Sequence, residues 1–247
     1  MSYLPSWLES LVPYLLGAIF SIVASYFVQR RLQNRAWRVE YVLRNTEKTY
    51  IPLYAEITKA VRDVRQYQLP DDPKAWTRIK EEGLIGIIQV DDADLYDKII
   101  HFYETVYPRL RRELDAAQKI AKNDVLNAWE NALLSHFEPR PLAGPNAPSL
   151  ARSFSGRIWG EDIGKYLLKH DLDGAKVAWN LHKDYILGIT DAKALSVDES
   201  WFSPVELAEP KLQNLESKQK ELINLLEEEK VDEIIKRLED RIGKPWR

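Results

Sequence analysis

The stretch Leu95–Leu133, LYDKIIHFYETVYPRLRRELDAAQKIAKNDVLNAWENAL, decides how the rest of the chain is read. Leu95, Ile99, Phe102, Tyr103, Val106, Leu110 and Ala117 recur at three- and four-residue steps, and Ile120, Leu126, Trp129 and Leu133 carry the pattern on. That period lines one face of an α-helix. Asp91-Asp92 precede it as start signals. Pro108 falls inside the pattern and removes a donor from the ladder, so a kink is expected there, not a stop.

Upstream, Leu84–Val90 (LIGIIQV) is ambiguous between a short strand and a buried helical turn. No hairpin signal offers it a strand partner, which favours helix. Asp72-Pro73 reads as an N-cap with proline at the first helical position, ahead of Trp76 and Ile79. A helix through Ile57 and Val61 starts near Tyr50, and Pro52 interrupts the segment before it. Downstream, Glu138–Ser149 carries four prolines and reads as a long loop dividing two helical subdomains. Shorter helices are expected around Asp162–His170 and Gly174–Ile186, the second capped by Asp173. Ser203-Pro204-Val205-Glu206 is a capping box that opens one long terminal helix, closed by Gly243 and Pro245. Its apolar spacing is no sustained heptad, leaving packing on its own domain and an intermolecular coiled coil both open. Ser203–Asp240 holds eleven acidic and six basic residues.

One window departs from this pattern. Ser10–Gln29 has twenty consecutive residues without a charge, in a chain that is 30% charged with mean hydropathy −0.39. At about 1.5 Å per residue, residues 11–29 reach roughly 28 Å, close to the hydrocarbon thickness of a bilayer. Trp7 and Tyr26 sit near its two ends, where amphipathic rings favour the headgroups. No Lys or Arg precedes it, which argues against a cleavable signal peptide. Arg30, Arg31, Arg35 and Arg38, followed by Arg44 and Lys48, face only Glu40 and Glu47. The positive-inside rule then places the N-terminus outside and the bulk of the chain in the cytoplasm of a cell-membrane protein. The same arginines favour anionic lipid headgroups. Gly17, Ser21 and Ser25 form a small-residue stripe that lets a second membrane helix approach.

The expected fold is therefore all-α: a single N-terminal transmembrane helix, then a cytoplasmic helical bundle with a long C-terminal helix. The segments are 1–10 outside, 11–29 in the membrane, a basic juxtamembrane helix 30–48, and a helical subdomain 49–137. The proline-rich loop 138–150, a short-helix subdomain 151–202 and the acidic helix 203–247 complete it. Composition excludes several classes. Zero cysteines rule out disulfides, thiolate metal sites and a cysteine nucleophile. A formal net charge of −3 gives no reason to expect nucleic-acid binding.

Signals for chemistry are sparse. His101, His136, His170 and His182 show no metal-ligand spacing. His170, Asp171 and His182 are the one constellation a tethered hydrolase would use, and a turn followed by the Asp173 N-cap is the reading preferred for that stretch. Arg152, Ser155, Gly156 and Arg157, ahead of a helix, are the candidate anion-binding residues. They lack the order of a phosphate-binding P-loop. No catalytic residue, metal or cofactor is expected, and the sequence leans against an enzyme. A membrane-anchored scaffold contacting the lipid bilayer and a protein partner or itself is the first reading. A signalling or defence effector sensing an anionic ligand is the second.

Overall fold

The structure, a computed structural model, describes residues 6–137 and 146–243. The side chains of residues 6–20, Ile22, Arg38, Thr190 and Ala194 lie outside that description, as do residues 138–145, the heart of the expected proline-rich loop. Every regular element among the described residues is helical. The stretch Leu84–Val90 is helical from Ile85 onward, within α4 below.

Helix α1 runs from Ser6 to Asn45 and continues through a π turn, Thr46–Tyr50, into α2, Ile51–Arg65. The Ile51 N–H reaches back five residues to the Thr46 carbonyl. That extra residue sits just before Pro52, whose ring and missing N–H are incompatible with a regular ladder. The same device recurs around Pro108. Helix α5 (Ala93–His101) passes through a second π turn, Phe102–Val106, where the Tyr107 N–H bonds the Phe102 carbonyl, and emerges as α6 (Tyr107–Phe137). At both prolines the helix goes on through the π turn, and neither proline ends one.

Between these rods lie α3 (Lys74–Glu81) and α4 (Ile85–Asp91), with Asp92 capping α5 by accepting from the Leu95 N–H at 3.1 Å. After α6 come α7 (Ala147–Ile158), a kinked π turn Trp159–Ile163, α8 (Gly164–Leu168), α9 (Leu172–Gly188) and α10 (Thr190–Ala194). The cap of α9 is Asp171, two residues earlier than expected, accepting from the Gly174 N–H at 2.8 Å.

The long terminal helix is corrected to three. Pro204 begins α11 (Pro204–Ala208) as the sequence suggested, though the Ser203 hydroxyl makes no capping bond. Pro210 then lies in a single 3-10 turn, and α12 (Gln213–Glu228) follows. Lys230, at φ +50°, turns the chain into α13 (Val231–Gly243). Leu215, Leu222, Leu226, Val231, Ile234 and Leu238 are all buried, so this region packs on its own chain.

Buried side chains from Tyr50 to Leu238 form one continuous hydrophobic cluster, centred on α6. Along α6 the buried row is Leu110, Leu114, Ala117, Ala121, Val125, Trp129 and Leu133, whereas Ile120 is half exposed. The core-facing row runs through the small Ala117 and Ala121, which leaves the bulkier Ile120 on the outer side. Trp129 donates from its indole N–H to the Pro204 carbonyl at 2.8 Å, tying α11 to the central helix. Gln219 on α12 donates to the Arg65 carbonyl at 2.7 Å and so closes the C-terminal end of α2. Helix α13 packs against α2, α5 and the first π turn. The acidic segment therefore returns to the foot of α1; it does not form the end of the molecule remote from it.

Among the described residues no helix is long and apolar enough to cross a membrane. Residues 11–20 and Ile22, which supply most of the expected span, fall outside the described side chains, Gly17 among them.

Candidate functional site

Helix α2 carries Glu56, Lys59 and Asp63 at spacings of three and four, one charged row beside the apolar row Leu53, Ile57 and Ala60. The 68–73 turn and α3 fold back over this row and leave a cleft of about 530 Å³, closed at one side by Tyr107. It lies directly beyond the π turn at the foot of α1.

Glu56 is the cleft's best-anchored group. Its carboxylate accepts from the Ala75 N–H at 2.7 Å and the Trp76 N–H at 3.2 Å, so it caps α3 from a different helix. The Tyr103 hydroxyl adds a third bond at 2.7 Å. Tyr103 also stacks on Trp76 at 4.6 Å between ring centres. Burial, and then the Glu56 charge, push the Tyr103 phenol far above the ordinary value, so it stays a donor. Asp72 was expected to cap α3. Its carboxylate instead pairs with Arg111 from α6.

Asp63 is nearly buried. Removal from water raises its pKa, partly offset by the Lys59 and Arg62 charges. Lys59 is engaged with Asp71, whose backbone carbonyl accepts from the Tyr107 hydroxyl. Lys74 and Arg78 line the mouth without an ion pair among the described residues. Among those residues the lining holds no serine, threonine, cysteine or histidine; its ionisable groups are carboxylates, lysines, Arg78 and Tyr107. Its chemistry is that of a charged contact surface. Sequence reasoning missed it, although the i, i+3, i+7 spacing of Glu56, Lys59 and Asp63 beside an apolar row was the available signal.

A second charged cluster joins α13 to the start of α5. Arg237 pairs with Asp94, and with Asp92 at 2.6 Å. Arg241 reaches Asp92 at 3.2 Å and the Asp91 carbonyl at 3.0 Å. Tyr50, from the first π turn, donates to the Asp91 carboxylate at 2.9 Å. Burial works to raise the Asp92 pKa, but the Leu95 N–H and the two guanidiniums outweigh it and hold that carboxyl below the usual range.

The residues singled out from sequence fall elsewhere. Arg152, Ser155, Gly156 and Arg157 lie inside α7, not in a loop before a helix. Their backbone N–H groups belong to the helical ladder and are not free to cradle an anion. Ser155 is fully buried, Arg152 approaches Glu130 at 3.8 Å, and Arg157 approaches the Tyr185 hydroxyl at 3.5 Å. The arginines are thus spread over the outer side of α7, with the serine on the inner side. His170 adopts φ +55° and stacks on Tyr67, Asp171 caps α9, and His182 faces Glu161 at 3.9 Å. Each has its own structural partner. His136 stacks on Trp201 and His101 meets Glu229 at 2.9 Å. Among the described residues no cluster of three His, Asp or Glu side chains has the geometry to hold a metal. Arg30, Arg31, Arg35, Ser21 and Ser25 are exposed along α1.

The chain matches no protein-family model, no curated protein and no solved structure.

Proposed function

We propose that the protein is a single-pass, membrane-anchored helical scaffold, its N-terminus outside and its helical body in the cytoplasm. One observation carries this reading. Helix α1 runs forty residues, about 60 Å, and the body begins to cover it only near its end, at Val42 and Asn45. From Val23 to Tyr41 its described side chains, including Tyr26, Phe27, Val28 and Trp37, are exposed. A lone helix with apolar side chains on every side gains nothing from water. Lipid over residues 11–29 resolves that cost, and the arginines immediately after the window suit the headgroup and cytoplasmic side. The body adds charged surfaces for a protein partner, among them the cleft around Glu56 and Asp63.

Because the chain has no cysteine, one introduced thiol reports on one place. Ser2→Cys should react with a membrane-impermeant maleimide on intact cells, and Ser217→Cys only after permeabilisation. The reverse pattern would overturn the orientation. Release of the protein from membranes by alkaline carbonate would overturn the anchor itself.

A further inference from the structure

The partner that best fits α1 is a second copy of this chain. Ser25, Gln29, Leu32, Ala36, Val39 and Leu43 are spaced alternately four and three residues apart. The same spacing runs back to Leu11 without a break in sequence. That is the a/d seam of a two-stranded coiled coil, with Gln29 its one long polar member. All six residues are exposed in the structure, so the body leaves the seam open. The body starts to cover the helix only at Val42, Asn45 and Thr46.

Charge placement selects the partner and its direction. Arg35 and Glu40 lie on opposite flanks of the seam, five residues apart, and neither makes an ion pair among the described residues. Five residues is the offset at which one flank of a parallel pair meets the other flank of its mate. In a parallel pair Arg35 of each copy therefore faces Glu40 of the other. An antiparallel pair would set each flank against its own kind. Arg30, Arg31, Arg38 and Arg44 fall at positions turned away from the seam, where two basic collars stay apart. A long polar side chain at one seam position, here Gln29 beside the small Ser25, is a device that fixes register in such pairs.

We infer that the protein forms a parallel homodimer through α1, continuous from the proposed span into the stalk. This deepens the scaffold reading and rests on it only for the shared insertion direction; the seam from Leu32 to Leu43 lies beyond the proposed span.

The test uses full-length, otherwise cysteine-free protein in native membranes, oxidised after single substitutions. Ser25→Cys, Leu32→Cys and Val39→Cys should give disulfide dimers, roughly fivefold or more above Phe27→Cys, Asn34→Cys and Tyr41→Cys on the outer face. Dimers at both Ser25 and Val39 require the parallel arrangement, because an antiparallel pair brings only one crossing level together. Arg35→Glu should lower the Leu32→Cys dimer yield, and adding Glu40→Arg should restore it. Equal yields around the helix, no dimer at any position, or no rescue by the exchanged charges would overturn the inference. Carbonate extraction of the same samples separates the two readings. Seam-specific dimers in an extractable protein would sink the anchor and keep the pairing. An anchored protein without them would do the opposite.

Discussion

Arg237 Nη2 lies 2.6 Å from Asp92 Oδ1, across 145 positions of sequence. The contact fixes α13 to the residue that caps α5, and the Asp92 side chain keeps only 14% of its exposure. Arg237→Ala leaves that carboxylate with weaker compensation, while Arg241 still reaches it. A loss of about 1–3 kcal/mol is expected in denaturant unfolding of the full chain. Amides of α13 and the first turn of α5 should lose exchange protection together. An unchanged midpoint would show that the pair is solvated in practice.

The pH dependence has two opposing parts. Asp92 is held below its unfolded value, near 3.9, so its contribution is present above that value. It disappears as pH falls through the depressed folded value. Asp63 is held above its unfolded value, so it favours the folded state in acid and loses that contribution as pH rises through the raised value. Stability should therefore rise slightly on mild acidification before it collapses below about pH 4. Asp63→Asn should remove the rise, and Asp92→Asn, which still caps, should flatten the collapse. Thermal midpoints across pH 3 to 7 would check both, the first arm being the more specific.

At pH 7 Asp63→Asn replaces a nearly buried carboxylate by a neutral group of the same shape. A gain on the order of 1 kcal/mol is expected. A loss would show that Asp63 forms a compensated pair with Lys59 stronger than its burial cost.

Two glycines make opposite predictions. A Cβ at Gly164 would meet the Trp159 indole at 2.5 Å, so Gly164→Ala should cost about 1–3 kcal/mol. A Cβ at Gly156 meets nothing within 4 Å, and the residue sits inside α7. Gly156→Ala should stabilise by roughly 0.5–1 kcal/mol. If Gly156→Ala were destabilising, that stretch of α7 would have to be something other than a regular helix.

Helical content was legible because apolar period and cap chemistry are local. A helix starts directly after Asp91-Asp92, and Pro204 begins another. Pro52 and Pro108 were recognised as disturbances, but not the π turn that absorbs each, since that depends on how the two halves of a rod are packed. The break at Pro210 was visible in the sequence and was overridden by the leucine pattern around it. The loop expected around Arg152–Arg157 is a helix for a related reason. Serine, glycine and arginine suggest a loop in isolation, and buried Phe154 and Ile158 on the inner face make the same segment a helix. The Glu56 cap could not be read at all, because donor and acceptor are 19 positions apart and meet only when α3 folds back on α2.

The return of α13 to the first π turn also orders events in time. Tyr50 and its neighbours emerge early from the ribosome, while Arg237 and Arg241, which close the same corner, emerge much later. During synthesis Asp91 and Asp92 lack their guanidinium partners until α13 is made, so this corner at the foot of α1 closes late. A chain whose synthesis halts ahead of Val231 would carry a complete α1 on an open body, a form that quality-control proteases can distinguish from the finished one.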